Sequence, residues 1–126
     1  MVYPVQKTGQ RTVLIVDSRP DDYSKLTQNL QREGMQVEIF KSGRMALRRA
    51  ASPAPEMWIV NMKLADISGP DLLAMLRWLY PGVPVYLVSD EYEEQDEITA
   101  RCAGAEMYFC KPLESSWLVT AAQHAS

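Results

Sequence analysis

The residues best suited to chemistry in this sequence each follow a short apolar run. They are Asp17 with Ser18, then Asn61, Ser89 and Lys111. A carboxylate and an ammonium can bind each other or an ion, and a hydroxyl can donate a hydrogen bond to an oxyanion. The carboxamide of Asn61 is a poor nucleophile and cannot form an acyl phosphate. Whether these groups act together depends on the elements that carry them.

The apolar pattern predicts five strands that alternate with five helices. The predicted strands are Thr12–Val16, Gln36–Phe40, Met57–Val60, Val83–Val88 and Met107–Cys110. Continuous apolar runs of this length are typical of strands covered on both faces. Between them, residues at helical spacing predict the inward faces of the helices. These inward residues are Tyr23, Leu26, Leu30, Met45, Leu47, Ala50, Leu72, Leu73, Leu76, Leu79, Ile98, Cys102, Leu118, Val119 and Ala122.

This alternation indicates an α/β fold with a parallel sheet and helices on both faces. In such sheets the functional crevice lies beyond the carboxyl ends of the strands. We therefore expect Asp17, Asn61, Ser89 and Lys111 to share one crevice. The Asp17 carboxylate and the Lys111 ammonium could then neutralise each other without a metal, and Lys63 would make the crevice positive if it bent inward.

Length and charge narrow the class of protein. The chain has 126 residues, which fits a single domain, and we expect a flexible segment at 1–10 followed by the domain at 11–126. Its net charge of −3 argues against nucleic-acid binding. No apolar run is long enough to predict a membrane span or a signal peptide. Cys102 and Cys110 are predicted to be reduced core thiols, and the expected location is the cytoplasm.

Four pieces of the chain, each at the end of a predicted strand, carry a resemblance to a known family. The pieces are Val13–Asp17, Ile59–Asn61 followed by Gly69, Val85–Ser89, and Gly104–Pro112. In this order, the chain resembles the receiver domain of bacterial response regulators (the CheY-like superfamily) over nearly its whole length. The resemblance implies a flavodoxin-like (βα)5 fold, a doubly wound five-stranded parallel sheet in the order 2-1-3-4-5.

The resemblance also implies roles for individual positions. A working receiver takes a phosphoryl group from a histidine kinase onto an aspartate at the end of the third strand, next to Mg²⁺. By position, the resemblance places the phosphoacceptor at Asn61, the metal-binding acidic pair at Asp17 and Ser18, the phosphoryl ligands at Ser89 and Lys111, the switching aromatic residue at Tyr108 and a cis proline at Pro112.

Three of these matches fail at the chemistry. Asn61 is not a carboxylate, and Ser18 is a weak ligand for a hard cation that favours carboxylate oxygens. The proline usual in the loop after the acceptor is replaced by Ala65. The sequence therefore resembles a receiver that is degenerate at its phosphoacceptor, a pseudo-receiver. For it we expect no enzymatic activity, no catalytic residue and no cofactor, Mg²⁺ included, with Asp17 as the candidate ligand if a metal does bind.

Two functions follow from this resemblance. The first is a receiver in two-component or phosphorelay signalling that acts by protein contact, without aspartyl phosphorylation. The alternative is a Mg²⁺-dependent phosphoacceptor masked by an engineered Asn61 or rescued by a neighbouring acid such as Asp66. Asp66 and Asp90 are also the acids that could supply replacement ligands to a metal.

The predicted partners are signalling proteins, with no nucleic acid and no membrane among them. They include a histidine kinase, another regulator, or a second copy that pairs through the last two helices and the fifth strand. Trp78 and Trp117 fall outside the apolar stripes of their helices, as interface tryptophans do. Trp117 is the better candidate of the two, because receivers commonly dock through the last helices.

Overall fold

Strands and helices alternate in the computed structural model, which describes residues 11–49 and 54–118. The strands are β1 (Arg11–Val16), β2 (Met35–Phe40), β3 (Met57–Asn61), β4 (Val85–Ser89) and β5 (Met107–Cys110). The helices are α1 (Ser24–Arg32), which follows a 3-10 turn at Pro20–Tyr23, then α2 (Gly43–Arg49), α3 (Gly69–Leu79) and α4 (Glu94–Ala103). Residues 115–118 form a further helical turn. The predicted segment 1–10, Ala50 and the rest of the last helix lie outside the described residues.

All five strands are parallel and lie in the order β2-β1-β3-β4-β5. The predicted fold class is therefore confirmed. A helix lies between each strand and the next one along the chain, and each helix packs on one of the two faces of the sheet. The spatial order of the strands reverses direction at β1. This reversal opens the crevice beyond the carboxyl ends of β1 and β3.

Two apolar layers enclose the sheet, because successive side chains of a strand point to opposite faces. Val13 and Ile15 of β1 face the layer that contains α1 and Leu118. Leu14 and Val16 of the same strand face the layer that contains α2, α3 and α4. A strand buried on both faces needs a continuous apolar run, which is the pattern that identified it in the sequence.

Several residues predicted to be inward are exposed. Met45, Leu79 and Ile98 are 48%, 48% and 47% exposed, and Cys102 is exposed as well. The helices bury narrower stripes than the apolar pattern suggests, with Gly43 and Ala46 buried in α2 and only Ala100 in α4. An apolar residue at the edge of the stripe points past the sheet into solvent. Cys110 is partly buried, so neither cysteine is a fully buried core residue.

Candidate functional site

The carboxyl ends of β1, β3, β4 and β5 meet at one edge of the sheet, as predicted. Asp17, Asn61 and Ser89 are the buried polar side chains of the described residues, at 1%, 4% and 3% exposure. The side chain of Lys111 is 11% exposed and reaches into the same crevice from the end of β5. The peptide bond between Lys111 and Pro112 is cis, which confirms the expectation from the resemblance.

Asp17 is the most deeply buried charge of the crevice, and both of its oxygens have partners. Oδ1 accepts a hydrogen bond from the backbone N–H of Arg19 at 2.9 Å. Oδ2 accepts from the Tyr23 hydroxyl at 2.7 Å and from Asn61 Nδ2 at 2.9 Å, and it lies 3.0 Å from Lys111 Nζ. Burial and the adjacent Asp17 carboxylate raise the pKa of Tyr23, so this phenol remains a donor.

Lys111 contacts three carboxylates. Its Nζ lies 3.0 Å from Asp17, 2.7 Å from Asp22 and 2.8 Å from Asp90. Burial acts to lower the pKa of this ammonium, but the hydrogen bonds to the three carboxylates outweigh it and raise the pKa to about 12. The same contact with Lys111 holds the pKa of Asp90 below its ordinary value. The direct contact between Asp17 and Lys111 is thus confirmed, but the expected one-to-one pair is in fact a cluster.

Asn61 is held in a single orientation by groups on both sides of its amide. The backbone N–H of Lys63 donates to Oδ1 at 2.8 Å, so the amide oxygen must face that turn. Nδ2 therefore faces the crevice and donates to Asp17 at 2.9 Å and to Asp90 at 3.1 Å. The turn after β3 depends on Gly69, because a Cβ there would overlap the carbonyl oxygen of Asn61.

Two charges differ from the sequence-based expectation. Ser18 is exposed, whereas Asp22, which the sequence analysis did not assign to the crevice, contacts Lys111. The side chain of Lys111 is long and flexible. It therefore reaches an acid in the 3-10 turn after β1 as readily as it would reach an acid at the position of Ser18. Lys63 does not bend inward, since its Nζ pairs with Glu93 at 3.3 Å and its side chain is 74% exposed.

The Ser89 side chain is hydrogen-bonded to α4. Its hydroxyl donates to Asp96 at 2.8 Å, so the position matched to a phosphoryl ligand here ties the end of β4 to the first turn of α4. Tyr108 contacts the same region, because its hydroxyl accepts a hydrogen bond from the backbone N–H of Glu93 at 3.4 Å. Both side chains therefore fix the segment between β4 and α4.

Asp66 is engaged elsewhere. Its Oδ1 accepts from the backbone N–H of Gly43 at 3.0 Å and its Oδ2 from that of Arg44 at 2.9 Å. These backbone hydrogen bonds keep the pKa of Asp66 below its ordinary value. This carboxylate caps α2, which makes it a poor replacement ligand or acceptor in the crevice.

The Mg²⁺ that the resemblance implies does not fit the donors present. Both oxygens of Asp17 already accept hydrogen bonds, and Asn61 presents an N–H group, which cannot ligate a cation. The ammonium of Lys111 lies among the carboxylates that would have to bind the metal. The crevice supplies its own cation.

Trp117 lies beside β5 at the end of the described part of the chain. It is 42% exposed, and its ring stacks on Phe109 with the centroids 5.6 Å apart. One face of the indole is therefore covered while the rest is accessible, which agrees with its predicted position outside the inward stripe.

Comparisons with known proteins agree with this fold. The family model described as "Response regulator receiver domain" matches residues 13–123. The chain is 34% identical over 103 residues to the transcriptional regulatory protein CreB of Escherichia coli, covering 82% of this chain and 45% of that protein. It is 39% identical over 101 residues to the transcriptional regulatory protein KdpE of Mycobacterium tuberculosis, covering 79% and 44%. The chain thus spans less than half the length of these curated relatives.

Two solved structures share this fold, and their sequences are 27% and 25% identical to that of the chain. A putative response regulator from Chloroflexus aurantiacus has a TM-score of 0.82 at 27% identity, covering 93% of this chain and 98% of that chain. A receiver domain protein (CheY-like) from Methanospirillum hungatei has a TM-score of 0.80 at 25% identity, covering 92% and 93%. None of the helices within residues 11–49 and 54–118 is long and apolar enough to cross a bilayer.

Proposed function

The chain belongs to the response regulator receiver domain family of two-component signalling, and on that premise we propose a receiver that signals by protein contact without aspartyl phosphorylation. The observation that carries the proposal is the state of Asn61 at the end of β3. Its amide nitrogen donates to two carboxylates, Asp17 and Asp90. The position that would have to attack phosphorus therefore presents hydrogen atoms to the crevice.

The chemistry of the amide supports this proposal. Formation of an acyl phosphate needs a carboxylate oxygen with a free lone pair, and the amide nitrogen has no such pair because it is delocalised into the carbonyl. The oxygen of Asn61 does have lone pairs, but it is turned to the N–H of Lys63. The side chain holds the crevice together and has no nucleophilic atom to offer.

The charges support a crevice that works without metal. Lys111 balances Asp17, Asp22 and Asp90 in part, and Arg19 adds a second cation 3.8 Å from Asp90. Such a cluster needs neither Mg²⁺ nor a phosphoryl group to be stable. We propose that the protein uses no cofactor and is not an enzyme.

Incubation with acetyl phosphate and Mg²⁺, followed by intact-mass measurement, tests the phosphorylation claim. We expect no mass increase, while a receiver with an aspartate at the acceptor position, treated in parallel, gains one phosphoryl group. A phosphoryl group mapped to any carboxylate of the crevice overturns the proposal.

One observation favours a second candidate, phosphorylation of Asp90. This carboxylate lies 2.8 Å from Lys111 and 3.1 Å from Asn61 Nδ2, and its side chain is 50% exposed. Peptide mapping after the same incubation distinguishes the candidates. Label on Asp90 that disappears in Asp90→Asn would establish the rescued phosphoacceptor.

We propose that contact with a partner uses the surface of α4, β5 and the last helix. Trp117 offers a partly exposed indole supported by Phe109, and stacked aromatic anchors of this kind are enriched at interfaces. The partner is a histidine kinase, another regulator or a second copy in the cytoplasm.

Sedimentation velocity of the Trp117→Ala variant tests whether two copies of the chain pair through this residue. Trp117→Phe, which keeps the stacking, is the matched control. A monomer that is unchanged by either variant excludes pairing through Trp117.

A further inference from the structure

Helix α3 is apolar on two faces. Leu72, Leu73 and Leu76 are buried against the sheet, as an amphipathic helix requires. Met75 and Trp78, on the other side, are 46% and 83% exposed. A surface helix is expected to be polar on its outer face, so a helix apolar on both sides indicates that a further partner covers it.

The outer face borders a shallow groove between α3 and α2. Its volume is about 410 Å³ and its lining is almost wholly apolar. The lining residues are Leu47, Ala74, Met75, Trp78 and Leu79. Met75, Trp78 and Leu79 have the spacing of a single helical stripe, so their exposure is one continuous surface, which distinguishes it from singly scattered apolar residues.

Cationic side chains border the groove on the side of α2. Arg44 and Arg48 line a second depression that shares Leu47 with the groove. Both are exposed, and neither guanidinium lies within 4.0 Å of a carboxylate among residues 11–49 and 54–118. The carboxylate on this side, Asp66, binds the backbone N–H groups at the start of α2.

We propose that this groove binds an amphipathic helix of a partner protein whose polar face is acidic. The apolar face of that helix would cover Trp78 and Met75, and its carboxylates would meet Arg44 and Arg48. Exposed guanidinium groups favour a partner surface that carries carboxylates, and this charge complementarity is why we assign an acidic polar face to the occupant. The proposal goes beyond the proposed function, because the groove lies on α2 and α3 and does not involve Trp117.

Two synthetic amphipathic peptides of about 20 residues, long enough to form a helix, test the proposal. They share one leucine stripe at i, i+3, i+4, i+7 spacing and differ only in carrying glutamate or lysine on the polar face. Fluorescence anisotropy of the labelled peptides measures binding to the whole chain. We expect the acidic peptide to bind at least about tenfold more tightly than the basic one, and less tightly as salt rises.

Two variants of the chain locate the binding. Trp78→Ala is expected to weaken the acidic peptide about tenfold or more, as loss of a central aromatic anchor does. The double change Arg44→Glu with Arg48→Glu is expected to reverse the preference between the peptides. Gln28→Ala, which shortens an exposed side chain on α1, is the control and is expected to leave the binding of both peptides unchanged.

Three outcomes overturn the proposal. They are equal affinity for the two peptides, an acidic peptide that binds Trp78→Ala as tightly as the parent chain, and self-association abolished by Trp78→Ala. The last outcome would identify a second copy as the occupant. Because none of these measurements involves phosphate, their failure is distinguishable from failure of the proposed function. Thermal melting of each variant confirms folding, which the 83% exposure of Trp78 leads us to expect.

Discussion

The ammonium of Lys111 lies 2.8 Å from Oδ1 of Asp90, the residue directly after β4. This contact joins the end of β5 to the start of the segment that leads into α4. Asn61 donates to the same oxygen from the end of β3. The Asp90 carboxylate thus links the end of β3 to the end of β5.

Removal of the ammonium is expected to destabilise the fold. In Lys111→Met, Asp17 is left buried without its cation, and breaking a largely buried pair typically costs about 3–5 kcal/mol. The remaining hydrogen bonds from Tyr23 and Asn61 should keep the loss of unfolding free energy near the lower end of that range. Urea denaturation measures it. Lys63→Met is the matched control, and its exposed pair with Glu93 is expected to contribute less than about 1 kcal/mol.

The pH dependence of stability provides a second test of the same cluster. The pKa of Lys111 is raised to about 12, above the value of about 10.4 in an unfolded chain. Its contribution is therefore fully present below about pH 10.4 and is lost as pH rises through 12. Denaturation curves between these values should show falling stability in the parent chain. A Lys111→Met chain that loses stability equally over this range would contradict the assignment.

Asp90 is expected to contribute at the acidic end. Its pKa is depressed by Lys111, so its contribution is present above the unfolded value of about 3.9 and is lost as pH falls. Because the side chain is 50% exposed, solvent screening limits the effect of Asp90→Asn to less than about 1 kcal/mol at neutral pH. The stability of the variant should depend less on pH below about 4 than that of the parent. Identical acid titrations would contradict this expectation.

Rebuilding the acidic site is expected to restore a requirement for metal. Asn61→Asp removes the donor to Asp17 and Asp90 and adds a fourth carboxylate to the cluster around Lys111, so it should lower stability by about 1–3 kcal/mol. Ser18→Asp combined with Asn61→Asp completes the family's acidic set. Added Mg²⁺ should restore much of the loss in the double variant, because a ligand specific for the folded state stabilises it.

Denaturation with and without Mg²⁺, and uptake of phosphate from acetyl phosphate, are the measurements for this series. The single variant should take up little phosphate or none. If Asn61→Asp alone is as stable as the parent and is phosphorylated efficiently, Asn61 masks an otherwise intact site. If the double variant gains neither Mg²⁺-dependent stability nor phosphate, the roles carried over to Ser89 and Lys111 are wrong.

Gly69 is expected to tolerate no side chain. A Cβ at this position would overlap the carbonyl oxygen of Asn61 and approach the Cα of Met62 to 2.8 Å, and both are backbone atoms that cannot rotate away. Gly69→Ala should therefore cost at least the roughly 1–3 kcal/mol of an overpacked core, measured by thermal or urea unfolding. Gly82→Ala is the matched control, because a Cβ there meets nothing within 4 Å. Equal stability of the two variants would contradict the account of the turn.

Sequence reasoning determined the fold and the location of the site. Continuous apolar runs such as Leu14–Val16 identify doubly covered strands, and their alternation with helices requires a parallel sheet. The side chains that follow the strands must then meet at one edge, and Asp17, Asn61 and Lys111 do. The cis bond before Pro112 also agrees with the expectation drawn from the resemblance.

Only the tertiary structure decided which atoms pair within the crevice. Asp22 lies 89 residues from Lys111 in the chain, and the acceptor of the Ser89 hydroxyl is Asp96 in the first turn of α4. The position of Trp78 outside the apolar stripe of its helix was predicted, but the apolar groove that it lines with Met75 was not, since an apolar pattern does not show which neighbour covers a side chain. The spacing of apolar residues along a helix or strand determines which face of that element is buried. The partner of a long polar or apolar side chain depends on distances between elements, and these distances exist only after the sheet and its helices have packed.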